Sequence, residues 1–160
     1  MAQAKLTSIG LDTEKSAKLA SKLNDLLANY QVFYTNVRGY HWNISGADFF
    51  ELHAKFEEIY NDLVIKIDDL AERVLTLGSR PVHAFSDYLK TSAIKEHTNA
   101  CTADTTLTGL LEGLAILLPK QREILEDAAD LGDEGTASLM SDYIKEQEKL
   151  VWMLTAYRKQ

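Results

Sequence analysis

The chain has 160 residues, of which 46% are apolar, and carries a formal net charge of −7. This length fills one hydrophobic core, and two prolines and eight glycines are too few for a disordered or turn-rich β protein, so we expect one domain over residues 1–160. The negative charge disfavours nucleic-acid binding, and the lack of a secretory signal or membrane-spanning run predicts a cytoplasmic protein without a membrane partner.

Apolar residues recur at helical spacing in four long segments, which predicts an all-α protein. The first helix is expected from Asp12 to about Arg38 and is ended by Gly39. Residues 1–11 then form a short N-terminal extension. A tight connection over residues 43–47 leads to the second helix.

The second helix has a recognisable start and end. Asp48 followed three residues later by Glu51 resembles a capping box, and the helical pattern runs to Leu77 before stopping at Gly78. These boundaries place residues 41–42, a histidine and a tryptophan, in the connection just before the helix.

The segment that follows is too long for a hairpin loop and has an apolar patch at residues 85–89, which predicts a crossover with one short helix. The third long helix is expected from residues 102–105 to about Leu131, with Pro119 producing a kink. Residues 132–134 separate it from a fourth helix. The fold class is therefore a four-helix bundle with a short extra helix in the crossover between the second and third long helices.

Two pairs of metal-ligand side chains lie four residues apart on the second helix. His53 pairs with Glu57, and Asp68 pairs with Glu72. A rotation of about 100° per residue keeps all four side chains within about 100° of one another. His41 adds a second imidazole nearby. Solvation of a surface helix explains any single pair, but the whole set favours binding of Fe(II), Mn(II) or Zn(II) and points to iron redox chemistry.

One copy of the helix cannot close a metal site. At about 1.5 Å per residue, His53 and Asp68 are roughly 22 Å apart along the axis, whereas metal ligands lie within about 2–2.5 Å of the ion. An antiparallel second copy brings the His53 pair of one chain against the Asp68 pair of the other, with the two-fold axis near residues 62–63. We therefore expect two identical sites per dimer, each shared between chains.

An intrachain di-iron centre is disfavoured, because helical bundles of that type use a Glu-x-x-His motif on each of two helices. No Glu-x-x-His motif occurs in this sequence.

Three motifs resemble those of the Dps mini-ferritins: HWNI at 41–44, FFELH at 49–53 and DDLAER at 68–73. The resemblance extends over nearly the whole chain and implies a ferritin-like fold. It also implies a hollow dodecamer that oxidises Fe(II), preferably with hydrogen peroxide, and stores the ferric product inside. Zn(II) is a possible competitor for the same ligands. That family usually has aspartate at the position of Glu57, so the longer side chain is a departure.

The resemblance implies a role for Trp42, and two acidic residues, of which Glu57 is also a proposed ligand, have a further expected role. Trp42 places an oxidisable indole beside the proposed iron, where it would intercept radicals, although simple packing explains it almost equally well. Glu57 and Glu58 would hold Fe(III) where the mineral nucleates.

Three further acidic residues near the start of the fourth helix are Asp133, Glu134 and Asp142. In the resembling family this segment lines acidic pores on a three-fold axis, and three copies of each carboxylate would attract incoming cations. Helix capping by Asp133 is the alternative explanation and is compatible with a pore.

Two other functional classes stay open: a nucleoid-compacting DNA-binding protein with secondary iron binding, and a purely structural shell. DNA binding is expected to be weak or absent, because DNA-compacting family members carry a lysine-rich arm and only Lys5 precedes the first helix.

Overall fold

Five α-helices make up the fold in the computed structural model, which describes residues 5–159. They span Thr13–Asn43 (α1), Phe49–Thr76 (α2), Phe85–Thr91 (α3), Ala103–Leu131 (α4) and Glu134–Arg158 (α5). The predicted all-α bundle with one short helix in the long crossover is confirmed. None of the helices in the described part of the chain is long and apolar enough to cross a membrane.

The four long helices bury their apolar faces against one another in a single core. Within it α1 packs against α2 and α4, and α4 packs against α5. The largest fully buried side chains come from α1, α2 and α4: Tyr30, Phe33, Tyr40, Phe56, Leu70, Leu114 and Ile124. Burial of this kind contributes about 1.5–3 kcal/mol for each large apolar side chain, which makes tertiary packing the main source of helix stability.

The first helix is longer than the sequence predicts. It continues through Gly39 to Asn43, so the prediction that Gly39 ends the helix is wrong. A glycine inside a helix costs about 1 kcal/mol relative to alanine, and burial of Tyr40 and His41 just beyond it outweighs that cost. As a result His41 and Trp42 lie on the last turn of α1 and not in the connection to α2.

Asp12 caps α1 as the sequence suggests, but one predicted cap is absent. The expected capping box at Asp48 is wrong, because its carboxylate makes no capping bond to α2 and instead accepts a hydrogen bond from the Tyr157 hydroxyl at 3.0 Å. The chain forms a capping box at α4, where Thr102 and Thr105 exchange side-chain to backbone hydrogen bonds of 3.2 Å. Tyr157 thereby ties the end of α5 to the start of α2.

Two buried asparagines of α1 hold the crossover in place. The Asn29 side-chain oxygen accepts hydrogen bonds from the backbone N–H groups of Ala93 and Ile94 at 3.0 and 3.1 Å. The Asn36 amide donates to the Lys95 carbonyl at 2.9 Å. These bonds satisfy backbone groups that the irregular segment cannot pair by itself.

Candidate metal centre

The two predicted histidine ligands are in direct contact. His41 and His53 stack with ring centroids 3.8 Å apart and planes 21° from parallel. His41 Nδ1 lies 2.7 Å from the His53 carbonyl oxygen, and His53 Nδ1 lies 2.8 Å from the His41 carbonyl oxygen. Because a carbonyl oxygen only accepts, each Nδ1 must carry the hydrogen and donate it. Each neutral ring therefore keeps its Nε2 lone pair for a metal.

Aromatic side chains limit the motion of this histidine pair. The Phe49 ring stacks on His53 with centroids 5.0 Å apart and planes at 22°, and the Tyr60 ring meets His41 edge-on at 5.3 Å. His41 itself is only 8% exposed. Packing and backbone hydrogen bonds together preorganise the two imidazoles, which is how outer-shell groups support metal ligands.

The three predicted carboxylate ligands lie exposed along α2. Among the described residues, the carboxylates of Glu57, Asp68 and Glu72 have no hydrogen-bond or ion-pair partner. The neighbouring Arg73 pairs with Asp133, the N-cap residue of α5, and leaves Glu72 free. These three carboxylates are therefore available to a metal or a second chain.

A single chain does not assemble the predicted site. Within residues 5–159 no group of three or more histidine, cysteine, aspartate or glutamate side chains is placed to hold a metal ion. The structure brings His41 and His53 together and leaves Asp68 and Glu72 farther along α2. This separation into two half-sites is consistent with the argument from helical spacing.

The part of α2 between the half-sites exposes apolar side chains. Val64 is 45% exposed and Ile65 is 62% exposed. Around the helix axis they lie about 20° and about 120° from His53, on the side that carries the ligands. An antiparallel second copy packed on this stretch of α2 would cover both side chains.

Trp42 lies on the protein surface and directly follows His41 in the sequence. Its side chain is 65% exposed, and the Arg38 guanidinium lies 4.8 Å from its ring centroid and 5.0 Å from that of Tyr34. Burial in the core does not explain this tryptophan. Its predicted role as a radical trap stays a prediction.

The acidic residues near the start of α5 differ in their surroundings. Asp133 is 3% exposed, accepts a hydrogen bond from the Thr136 backbone N–H at 3.1 Å and pairs with Arg73. Its capping role is confirmed, and its carboxylate faces these two partners. Glu134 and Asp142 are exposed, so the pore prediction depends mainly on them.

The two residues predicted to nucleate mineral also differ. Glu58 pairs with the Lys55 ammonium at 2.6 Å, whereas Glu57 has no such partner among the described residues. Their role in nucleation stays a prediction.

Sequence reasoning did not assign a function to the aromatic residues around the histidines. Phe49 lies four residues before His53, and Tyr60 lies seven residues after it. Both spacings place a side chain on the His53 side of the helix, so helical periodicity contained the signal.

Comparison with known proteins gives one consistent picture. The ferritin family profile, described as a ferritin-like domain, matches residues 20–160. An uncharacterised protein of Haemophilus influenzae is 65% identical over 150 residues, which cover 94% of each chain. The DNA protection during starvation protein of Porphyromonas gingivalis is 47% identical over 92% of this chain and 93% of its own.

Solved structures agree with these relatives. The crystal structure of a DPS protein from Vibrio cholerae O1, described as a member of a broad superfamily of ferritin-like diiron-carboxylate proteins, has a TM-score of 0.94. It is 64% identical and covers 98% of both chains. A Dps protein from Bacillus brevis has a TM-score of 0.86 at 34% identity, covering 90% of this chain and 97% of its own.

Proposed function

This chain belongs to the Dps family of ferritin-like proteins, and we propose that it oxidises Fe(II) at sites shared between two-fold-related copies. Hydrogen peroxide is the proposed oxidant, and the ferric product is stored inside a hollow shell of twelve chains. The protein thereby removes both reactants that damage cells under oxidative stress.

The observation that carries this proposal is the reciprocal bonding of His41 and His53. Each ring donates Nδ1–H to the other residue's carbonyl, which fixes both tautomers and leaves both Nε2 atoms as ligands. Any buried imidazole N–H needs an acceptor, but here both rings use Nδ1, and no hydrogen bond among the described residues uses either Nε2. Mixed imidazole and carboxylate ligation suits Fe(II).

The proposed complete site takes residues from two chains. One chain provides the two histidines and Glu57, and the other provides Asp68 and Glu72. The unpaired, exposed state of these carboxylates and the exposed Val64 and Ile65 between the half-sites support an interface at α2. Zn(II) fits the same ligand set and is the expected competitor.

The chemistry follows from the electron count. Each Fe(II) gives up one electron, and hydrogen peroxide takes two electrons with two protons to become two molecules of water. Two iron ions delivered to one peroxide therefore consume it without releasing a hydroxyl radical. Anionic oxygen ligands favour the more highly charged Fe(III) product, which helps drive the oxidation.

Three accessory roles complete the proposal. Trp42 would supply an electron to any radical that forms near His41. Glu57 and Glu58 would hold Fe(III) where mineral starts, and Glu134 and Asp142, with the capping residue Asp133 behind them, would attract Fe(II) to a passage through the shell.

Removal of the histidines tests the proposed activity. His41→Ala and His53→Ala should each slow peroxide-driven Fe(II) oxidation strongly, measured by the absorbance of the ferric product, while circular dichroism stays unchanged. His83→Ala is a matched control, because His83 is exposed and lies in the crossover. Unaltered rates in both site variants would refute this metal site.

DNA binding is the second candidate function, and the name of the Porphyromonas gingivalis relative is the observation that favours it. The net charge of −7 opposes it. We expect no gel shift of duplex DNA at physiological salt. A salt-sensitive shift would support the second candidate.

A further inference from the structure

The hydroxyl of Tyr40, a core residue of α1, is paired with a histidine of the crossover. Its oxygen lies 2.6 Å from His97 Nδ1, and the two rings meet edge-on with centroids 5.5 Å apart. Tyr40 is 1% exposed, and no other hydrogen-bond partner for its hydroxyl lies among the described residues. A buried hydroxyl hydrogen needs an acceptor, so Tyr40 donates and His97 Nδ1 accepts.

Two further residues make this pairing possible. The Asn36 side-chain oxygen accepts a hydrogen bond from the His97 backbone N–H at 3.0 Å, which fixes this part of the crossover against α1. On α4, a Cβ at Gly109 would collide with both the Tyr40 hydroxyl oxygen and His97 Nδ1. Glycine at this position therefore leaves the space that the tyrosine and the histidine occupy.

The other buried tyrosines donate to weaker bases. Tyr30 donates to the Gln121 amide oxygen at 2.5 Å, and Tyr88 donates to a backbone carbonyl at 3.2 Å. Tyr143 donates to the Asp69 carboxylate at 3.3 Å, which is a longer bond. Amide oxygens hardly take up a proton in water, whereas imidazole is the side-chain base that works near neutral pH.

The oxidation chemistry of a phenol makes this base important. Burial raises the pKa of the Tyr40 phenol, and the charge of Glu112 raises it further, so the phenol stays neutral. A neutral phenol gives up an electron readily only when its proton leaves too, because a phenol radical cation is a very strong acid. His97 Nδ1 is placed to take that proton, and His97 is exposed, so solvent stabilises the imidazolium.

Tyr40 also lies next to the proposed iron site. It directly precedes His41, so the two Cα atoms are about 3.8 Å apart. Its ring meets that of Phe56, the residue before Glu57, with centroids 5.9 Å apart. Tyr60 contacts the His41 ring as well, but its hydroxyl has no hydrogen-bond partner among the described residues. In the part of the chain that the structure describes, proximity and a base coincide at Tyr40.

We propose that Tyr40 supplies the second electron when hydrogen peroxide meets a shared site that holds a single Fe(II). The iron gives one electron and Tyr40 gives the other, so the O–O bond breaks to give two hydroxide ions. The phenol proton passes to His97 Nδ1, which leaves Fe(III), an imidazolium and a neutral tyrosyl radical. A later Fe(II) reduces this radical, and His97 returns the proton. A half-filled site then releases no hydroxyl radical, an inference that rests on the proposed function.

Freeze-quenched electron paramagnetic resonance tests this proposal. Protein loaded with one Fe(II) per shared site is mixed with excess hydrogen peroxide. The parent should form a tyrosyl radical, which is identified because ring-deuterated tyrosine narrows its signal. Tyr40→Phe should lose this signal and release hydroxyl radical to a spin trap. Tyr60→Phe keeps the ring against His41 and should retain the signal.

Replacement of His97 tests its role as the proton acceptor. His97→Gln should slow radical formation by about 100-fold, because a positioned base typically contributes 10²–10⁴-fold. His97→Gly should do the same, and added imidazole should restore the radical, since this position is open to solvent. A merely structural histidine would show no such rescue. His83→Gln, which changes another exposed histidine of the crossover, is the control.

The proposal is wrong if the tyrosyl signal persists in Tyr40→Phe, or if the parent oxidises iron at half-filled sites without forming it. Ferric absorbance in the same samples shows separately whether the parent oxidises iron at all. An iron-free experiment covers failure of the proposed function: flash-generated ruthenium(III) tris(bipyridine) is the one-electron oxidant. There too, Tyr40→Phe should lower the tyrosyl yield and His97→Gln should slow its formation. Independence from both residues would refute the proposal.

Discussion

Phe49 stacks on His53 with their ring centroids 5.0 Å apart, one helical turn before it on α2. We predict that Phe49→Ala will weaken Co(II) binding at the proposed shared site by about tenfold, because outer-shell groups that orient a histidine ligand typically contribute 10–100-fold. Phe49→Tyr keeps the ring and should bind as the parent does. Phe85→Ala removes an exposed phenylalanine from α3 and serves as the control.

The ion pair between Arg73 and Asp133 should contribute more to the free energy of unfolding than an exposed ion pair does. Asp133 caps α5, and its removal also leaves a largely buried guanidinium unpaired. We predict that Asp133→Ala will lower the free energy of unfolding by about 3 kcal/mol in urea denaturation. Asp104→Ala, which breaks the exposed pair with Arg158, should cost less than about 1 kcal/mol. Equal decreases in the free energy of unfolding for the two variants would show that the Arg73–Asp133 pair contributes no more than an exposed ion pair.

Two glycines inside helices should respond to alanine in opposite directions. A Cβ at Gly39 would meet nothing within 4 Å, so Gly39→Ala should stabilise the protein by about 0.5–1 kcal/mol. A Cβ at Gly113 would lie within 2.5 Å of two carbons of the buried Phe33 ring, so Gly113→Ala should destabilise by about 1–3 kcal/mol. If both substitutions shift the Tm in the same direction, this account of the packing around the two glycines is wrong.

Asp142 tests the proposed route of iron into the shell. Its carboxylate is exposed and pairs with Lys145 at 3.1 Å, so Asp142→Asn should leave stability nearly unchanged. We predict that Fe(II) uptake by the variant is slower than that of the parent at low salt. The difference between the two rates should narrow near 0.1 M salt, where the Debye length is about 10 Å and the carboxylate charge is screened. Glu14→Gln, which changes an exposed acid on α1, is the control. Stopped-flow uptake equal to that of the parent would remove Asp142 from the route.

The periodic parts of the chain were predictable, and the exceptions have physical causes. Helical spacing identified α2 because its pattern has a clear start and end in the sequence. The end of α1 was not predictable from Gly39. Glycine has a low helix propensity, but burial of the residues beyond it in the folded protein outweighs that preference. Asp48 likewise resembles a helix cap in the sequence, but its carboxylate accepts a hydrogen bond from the distant Tyr157.

The candidate site was also only partly predictable from the sequence. The proposed ligands were chosen from residue types and, for those on α2, from helical spacing. The reciprocal hydrogen bonds of His41 and His53 join two helices and have no sequence pattern. Burial of Asp133 against Arg73 also depends on a contact between residues 60 positions apart. Long-range contacts of this kind appear only when the chain is folded.

Sharing of each site between two chains is the central claim, and mixed shells test it most directly. Chains carrying His41→Ala/His53→Ala are co-refolded in equal amounts with chains carrying Asp68→Asn/Glu72→Gln, and peroxide-driven Fe(II) oxidation is measured. Random pairing makes half of the dimers mixed, and each mixed dimer has one intact site of two, so we predict about one quarter of the parent rate. Each pure variant should be nearly inactive. A mixed-shell rate no higher than the mean of the two pure variants would contradict the shared site.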